Sequence, residues 1–373
     1  MSAVLRTRLT NAMKLTLRLW YKMCLFAIGS CLVLMFLSGS GCCGCAGKGC
    51  IPRGSQLAEE EVYRVGVVTD VQYADREDGM DYSGLFVRHY RKSLEFLRHT
   101  VAQWKMQGVM TVIDLGDGVD GSNLGKPTAQ QLVLSELTAP NWNLVRVLGN
   151  HEYYNGFVKK ASRSYRRLEL CDGWRLLLLD GFDVSVFSTD KKKSRRAQEY
   201  LTANNPNLWH GNFTPGAAVW LRGLEGREQR WTPLNGALSS DQLQWLKREL
   251  QALEDDDVWA VVASHIPILP DVTHAEGLLW NYDEALAVLA TSSRVGLVLA
   301  GHSHRLRMGV QSGNQVPHLT LPAPLEQDPN FYSECGLTLE LPIRKPHAAV
   351  SSGRFIRLLG QGPVLNVTLP LNG

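Results

Sequence analysis

The chain has 373 residues, of which 45% are hydrophobic and 20% charged, so it can form one large domain or two small ones with a full core. The net charge of +3 is unevenly distributed, because residues 1–58 contain seven Lys or Arg and no Asp or Glu. The remaining residues hold 32 basic against 36 acidic groups. This balance argues against a basic nucleic-acid-binding face, and we expect no nucleic-acid partner.

The first 58 residues form a candidate targeting or membrane-anchor segment. A basic amphipathic stretch precedes 15 uncharged residues, 23–37, and a stretch rich in Gly, Ser and Cys follows. A membrane span needs about 20 apolar residues. The order of features therefore fits a short anchor, a cleaved signal or transit peptide, or a start codon assigned too far upstream. We expect membrane anchoring or organelle or secretory targeting through this segment, and a cytosolic protein if the start codon is misassigned.

From Glu59 onward, short apolar runs alternate with helical patterns. Helices are predicted along the stripe from Phe86 to Trp104, after a capping box at Ser239, and over 281–290. This alternation indicates an α/β domain with a largely parallel sheet. The runs, each suited to a buried strand, lie at 62–68, 109–115, 143–149, 174–180, 258–264 and 295–301.

The remaining segments set the expected domain boundaries. We predict a main domain over 59–345, in which the polar stretch 183–235 is an inserted surface excursion, because loops that long are rarely plain connections. Short strands after residue 316 are expected to close a second sheet. Residues 346–373 are expected to form strands or a tail that completes the sheet.

Five polar islands follow five of the apolar runs. In open α/β sheets, ligands bind in the crevice outside the carboxyl ends of the strands. We therefore expect the five islands to converge on one place. They are TDVQ at 69–72, GDGVD at 116–120, GNHE at 149–152, SHIP at 264–267 and GHSH at 301–304.

The islands supply oxygen and nitrogen donors without a thiolate, a set that suits Mn²⁺, Fe or Zn²⁺. Seven donors exceed what one catalytic ion needs and fit two ions that share a carboxylate. Each island alone has an ordinary explanation, such as a turn, a surface glutamine or a solvated loop histidine. Their joint occurrence at strand ends favours a metal site. The seven are Asp70, Gln72, Asp117, Asn150, His265, His302 and His304.

The order of these motifs is similar to the signature of the calcineurin-like metallophosphoesterases. Longer stretches, among them DVQYADREDG, GNHEYYN and LNGALSSDQLQWL, resemble the manganese-dependent ADP-ribose/CDP-alcohol diphosphatase branch. The resemblance covers about residues 62–325 and is specific, because this branch has D-x-Q where its relatives have D-x-H. We therefore predict a four-layer α/β/β/α metallophosphoesterase sandwich behind an N-terminal hydrophobic segment.

The resemblance also implies how the donors are shared between two metals. It assigns Asp70, Gln72 and His304 to the first metal. It assigns Asn150, His265 and His302 to the second metal, with Asp117 as the bridge. A water or hydroxide between the metals would be the nucleophile.

Three residues have more specific expected roles. The amide oxygen of Gln72 would favour Mn²⁺ over Zn²⁺, because oxygen is the harder ligand. His151 would protonate the leaving group or stabilise the phosphoryl charge. Asp120 would orient a metal-binding histidine without itself contacting the metal, with capping of the next helix as the alternative.

Four further residues are candidate substrate contacts, each with an alternative. Tyr82 would stack on a base or ribose, or pack in the core. Arg88 would meet a phosphate, or lie exposed on a helix. Trp280 and Asn281 would line the pocket, or serve in the core and as a helix cap.

These observations predict a two-metal hydrolase of the phosphoanhydride in nucleoside-diphosphate-linked compounds, with ADP-ribose first and CDP-alcohols second. The alternatives are a phosphomonoesterase or cyclic-nucleotide phosphodiesterase on the same metals, and a non-catalytic binding module with this fold. The expected cofactors are two divalent ions, manganese first, with iron or zinc as alternatives. The expected partner is a small-molecule nucleotide, with membrane association through residues 1–58.

Overall fold

The computed structural model describes residues 61–81, 83–138, 141–158, 164–208, 218–343 and 355–371. The chain divides into the units Met1–Ala58 and Glu59–Gly373, and every described residue belongs to the second. The hydrophobic segment 1–58 and Tyr82 lie outside the described residues, so the predictions made for them stay predictions. Among the described helices, none combines the length and apolar character needed to cross a bilayer.

The described strands form two six-stranded sheets and a two-stranded ribbon of β2 and β3. The first sheet has the order β14-β13-β12-β1-β4-β5, and the second has the order β10-β11-β9-β8-β7-β6. The strands are β1 (Val62–Val68), β2 (Gly79–Met80), β3 (Val87–Arg88), β4 (Thr111–Asp114), β5 (Asn143–Arg146), β6 (Arg166–Cys171), β7 (Trp174–Leu178), β8 (Trp259–Ala263), β9 (Val295–Ala300), β10 (Arg307–Val310), β11 (Pro317–Thr320), β12 (Gly336–Pro342), β13 (Phe355–Gln361) and β14 (Val367–Pro370).

Helices cover the outer faces of the two sheets. Leu97 and Trp104 of the first helix pack on the first sheet, and Leu246 and Leu250 of the fifth pack on the second. The predicted α/β/β/α sandwich is therefore confirmed. The helices are α1 (Lys92–Gln107), α2 (Pro127–Thr138), α3 (Asn150–Tyr154), α4 (Lys191–Asn204), α5 (Ser240–Asp255) and α6 (Tyr282–Leu289).

The apolar runs are continuous because both faces of each sheet are buried. In β1, Val65 and Val67 point into the core between the sheets, whereas Val68 points toward α1. In β7, Leu177 faces the helices, while its neighbours face the other sheet. Gly66 permits the close packing of α1, since a Cβ there would lie 2.6 Å from the Trp104 ring.

Two local predictions were wrong, and one strand was missed. Helix α1 begins at Lys92, because Phe86 and Tyr90 continue the helical spacing but lie before the first turn. The edge strand β6 was not predicted. Of the strands after residue 316, β11 joins the second sheet, but β12 pairs antiparallel with β1 and brings β13 and β14 into the first sheet. Local patterning identifies a strand without identifying its partner.

The polar segment 183–235 forms a small core together with Trp280. Leu201 of α4 is buried together with Trp220, Trp231 and Trp280. The segment returns to the sandwich at a bridge between Val184 and Ala237. The proposed boundaries of this excursion stay a prediction, but the described part of the segment has a defined fold.

Candidate metal centre

The loops after five strands bring the seven predicted donors together at one end of the sandwich. Each loop leaves the carboxyl end of a parallel strand, which is where open α/β sheets place their ligands. Asp70 and Gln72 follow β1, Asp117 follows β4, Asn150 opens α3 after β5, His265 follows β8, and His302 and His304 follow β9.

The backbone of these loops is unusual. Seven described residues other than glycine have a positive φ, a conformation that side chains rarely adopt. Such residues concentrate at functional sites, where the surrounding structure holds them in place. Five of the seven belong to the candidate donors, namely Asp70, Gln72, Asp117, His302 and His304, with φ between 41° and 65°.

Asp117 lies at the middle of the group. Its Oδ1 accepts a hydrogen bond from the His151 backbone N–H at 2.8 Å. Its Oδ2 lies 3.2 Å from Gln72 Nε2 and 3.4 Å from His265 Nε2. Gly149 makes this approach possible, because a Cβ there would lie 2.1 Å from Asp117 Oδ1.

Asp70, Gln72 and His304 form one side of the centre, which we call the Glu326 side. His304 Nε2 lies 3.2 Å from Asp70 Oδ1 and 3.0 Å from Gln72 Nε2. The other ring nitrogen, Nδ1, lies 2.8 Å from Glu326 Oε1. Glu326 is buried and also accepts from Arg305 at 2.6 Å. This side is therefore supported by a charged carboxylate.

Asn150, His265 and His302 form the other side, which we call the Asn235 side. His265 Nδ1 lies 2.8 Å from the backbone oxygen of Leu115, so its Nε2 faces Asp117. His302 Nε2 lies 2.8 Å from the amide oxygen of Asn235. Both rings on this side are thus supported by neutral groups.

The electrostatics of the histidines follow these partners. Burial opposes the charged form at His304, but Glu326 and Asp70 together outweigh it and raise the pKa of His304 to about 9. Burial is likewise outweighed at His265 by Asp117 together with Asp70 and the Leu115 backbone, so the pKa of His265 rises to about 10. At His302, burial and the neighbouring charge of His265 lower the pKa to about 3.

Several buried polar atoms at the centre lack the hydrogen bond that buried groups normally make. They are Gln72 Oε1, Asn150 Oδ1 and His265 Nε2, each without a hydrogen-bond partner among the described residues. The donor atoms of Asp117, His265 and His302 lie within 4.8 Å of one another. Clustered oxygen and nitrogen donors, several of them without a hydrogen-bond partner, fit a divalent cation. The residues present therefore fit a metal centre.

His151 and Asp120 lie beside this group. His151 Nε2 is 3.8 Å from Asp117 Oδ2, and its ring packs against Tyr154 with centroids 5.2 Å apart. Asp120 Oδ1 accepts from the backbone N–H of Ser122 at 2.9 Å and caps a 3₁₀ turn there. Asp120 thus has the capping role that was the alternative prediction, and its orientation of a histidine stays a prediction.

The structure corrects part of the substrate-contact set. Arg88 ends β3 and donates to Glu326 Oε1 at 3.3 Å, so the exposed-helix alternative is wrong. Trp280 is 1% exposed and donates to the backbone of Thr232, which is the core role. Asn281 is buried; its Oδ1 accepts a hydrogen bond from the Leu238 backbone N–H, and its Nδ2 donates to the Leu238 carbonyl oxygen. These contacts occupy Trp280 and Asn281 in packing rather than in an open pocket.

Three residues that contact the candidate donors or their loops were missed. Glu152 accepts from the backbone N–H groups of Asp117 at 2.9 Å and Gly149 at 2.8 Å, and so joins two of the loops. Its position in GNHE was a signal that could have revealed it. Asn235 lies in the stretch LNGALSS, which was noted for its resemblance alone. Glu326 has no local motif.

A four-layer sandwich with clustered metal donors at its strand ends defines a metallophosphoesterase. The family model for calcineurin-like phosphoesterases matches residues 63–306, and the chain belongs to this family. The predicted family and the predicted class, a metal-dependent hydrolase, are thereby confirmed.

Similar proteins agree with this assignment. A manganese-dependent ADP-ribose/CDP-alcohol diphosphatase of Danio rerio is 31% identical over 303 residues, covering 74% of this chain and 91% of that protein. A protein of the same name from Arabidopsis thaliana is 31% identical over 291 residues, covering 74% and 90%. The crystal structure of a dimetal phosphatase from Danio rerio matches with a TM-score of 0.73 and 29% identity, covering 83% of this chain and 99% of that one.

Proposed function

We propose that this protein hydrolyses the phosphoanhydride of nucleoside-diphosphate-linked compounds, with ADP-ribose as the first substrate and CDP-alcohols as the second. The observation that carries the proposal is the convergence of seven donors around Asp117, several of which leave a buried polar atom without a hydrogen-bond partner. The names of the relatives at about 31% identity support the substrate class and manganese as the metal.

The seven donors would hold two divalent ions, one on the Glu326 side and one on the Asn235 side, with Asp117 shared. When bound, the ions supply Lewis acidity that activates a water and neutralises phosphoryl charge. Gln72 presents its amide nitrogen to Asp117 and His304 and leaves its oxygen unsatisfied. A 180° flip of the Gln72 amide, which leaves the shape of the side chain unchanged, would turn the oxygen toward the ion.

His151 is the group suited to move a proton. It opens α3 next to Asn150, and its side chain is 13% exposed, so it is reached from solvent while lying beside the carboxylate of Asp117. Asp117 keeps a fixed orientation through the His151 backbone N–H. The ring would donate a proton to the leaving oxygen, a role typically worth about 10²–10⁴-fold in rate.

The test is to incubate the full chain with ADP-ribose and Mn²⁺, then with Mg²⁺, and to measure AMP. We expect AMP with Mn²⁺, and none from Asp117→Asn, because this change removes the carboxylate that both sides share. His151→Gln should keep both ions and lose about 10²–10⁴-fold in rate.

Other outcomes separate the parts of the proposal. Hydrolysis of an aryl phosphodiester or a phosphomonoester without hydrolysis of ADP-ribose or CDP-choline would keep the metal centre and reject the substrate class. A folded protein that binds no metal and hydrolyses none of these compounds would contradict the enzyme itself.

A further inference from the structure

We propose that Asn235 is a positioning residue that selects the ring nitrogen His302 presents to the metal, and that it makes the segment 218–238 part of the metal centre. The inference rests on the proposed function, because it assumes that His302 binds an ion. It concerns a residue outside the seven donors, at the end of the polar segment.

The amide of Asn235 is held in one orientation. The side chain is fully buried, with 0% of its surface exposed. Its Nδ2 donates to the backbone oxygen of Arg230 at 2.9 Å and to that of Glu276 at 2.7 Å. Both N–H groups are therefore used, and a flipped amide would bring its oxygen against two carbonyls. The amide oxygen must point toward His302.

This fixed acceptor determines the tautomer of His302. The amide oxygen lies 2.8 Å from His302 Nε2 and can only accept, so the proton of the neutral ring must be on Nε2. The lone pair is then on Nδ1, which is the nitrogen available to a cation. The backbone of His302 is anchored separately, because its N–H donates to Asp70 Oδ2 at 2.8 Å. Asn235 therefore fixes the tautomer and orientation of the His302 ring, while Asp70 fixes the His302 backbone.

Asn235 also connects two segments to the centre. Arg230 precedes Trp231, which packs on Trp280 with ring centroids 6.0 Å apart. Glu276 belongs to the turn in which a Cβ on Gly277 would lie 3.7 Å from the His302 ring. Displacement of either segment would therefore be transmitted to His302 through one buried amide.

The first test compares two buried asparagines of the same segment. Asn205 is also 0% exposed, and its Nδ2 donates to two backbone oxygens, those of Trp220 and Trp231. Asn235→Ala and Asn205→Ala should both lower thermal stability. Titration of the full chain with Mn²⁺ should show one of two sites weakened about 10–100-fold in Asn235→Ala alone, which is the usual cost of losing a residue that orients a ligand.

A spectroscopic measurement on the wild-type chain keeps the proposal testable if Asn235→Ala does not fold. In the metal-free wild-type chain labelled with ¹⁵N-histidine, the His302 signal, assigned by its loss in His302→Gln, should show the proton on Nε2.

The opposing results are distinct. A His302 proton on Nδ1, equal weakening in Asn205→Ala, or two wild-type sites in Asn235→Ala would each overturn the positioning role while leaving the proposed function intact. A wild-type chain that binds no Mn²⁺ would overturn both.

Discussion

The Glu326 side and the Asn235 side each receive one histidine from the same loop, but they support it with partners of different charge. His304 donates to a carboxylate that Arg305 also contacts, whereas His302 donates to a neutral amide. A carboxylate partner makes an imidazole a more basic ligand than an amide does. Two sites built from similar ligands therefore need not hold their ions equally tightly. We expect the Glu326 side to bind the tighter ion.

The largest loss of metal binding should come from a change that displaces Asp117, because both sides of the centre share its carboxylate. In Gly149→Ala, the new Cβ would lie 2.1 Å from Asp117 Oδ1, so the shared carboxylate must move. Overpacking of this kind typically costs about 1–3 kcal/mol of the free energy of unfolding. We expect both Mn²⁺ sites and the activity to be lost, as measured by metal content after gel filtration.

The matched control is Gly118→Ala in the loop that carries Asp117, where the nearest atom to a new Cβ is Val133 Cγ1 at 3.6 Å, an ordinary contact. This variant should keep both ions. Retention of both ions by Gly149→Ala would show that the shared carboxylate tolerates displacement.

A smaller loss of Mn²⁺ binding, confined to one of the two sides, is expected from a change at Glu326. Glu326→Gln keeps the shape of the side chain and removes the charge that supports His304. We expect about 10–100-fold weaker binding at one Mn²⁺ site and little change at the other. A calorimetric titration with Mn²⁺ measures both sites in one experiment. Equal weakening of the two sites would contradict the assignment of Glu326 to one side.

The smallest effect concerns pH. The pKa values of His304 and His265 are raised to about 9 and about 10, above the ordinary value near 6.5. A raised pKa in the folded state contributes stability that is complete below about pH 6.5 and is lost as the pH rises through the folded pKa. The metal-free chain should therefore lose a few degrees in Tm between about pH 7 and pH 9.

Thermal unfolding with and without Mn²⁺ checks this prediction. Bound ions replace the protons on these rings, so saturating Mn²⁺ should abolish the decrease. His304→Gln should reduce the decrease in the metal-free chain. A Tm that rises with pH in the metal-free wild type would show that these rings are neutral there.

The positions of the seven donors could be predicted from the sequence because sheet geometry is simple. A buried strand is a short apolar run, and parallel strands end at the same edge of their sheet. A polar island after such a run therefore has a known location, even when its neighbours in space are far away in the chain. Asp70 and His304, 3.2 Å apart, illustrate this.

The supporting residues could not be predicted in the same way. Glu326 reaches His304 from 22 residues further along the chain, after two intervening strands, and no periodic pattern marks it. Asn235 lies at the end of a long segment whose path depends on a small core that it shares with Trp280. The partner of each strand could not be predicted either, because the strand with which β12 pairs is determined by the whole fold and not by the sequence of β12 itself.

The pairing of β1 with β12 has a consequence for the order of folding. Val62 lies opposite Pro342 and Val67 opposite Leu337, so the first described strand is completed by one that is made only after all the intervening strands. Until residues 336–342 leave the ribosome, β1 has an open edge that can pair with other chains. Contacts this distant in sequence also slow folding. A nascent chain stalled before Gly336 should therefore depend on chaperones to avoid aggregation.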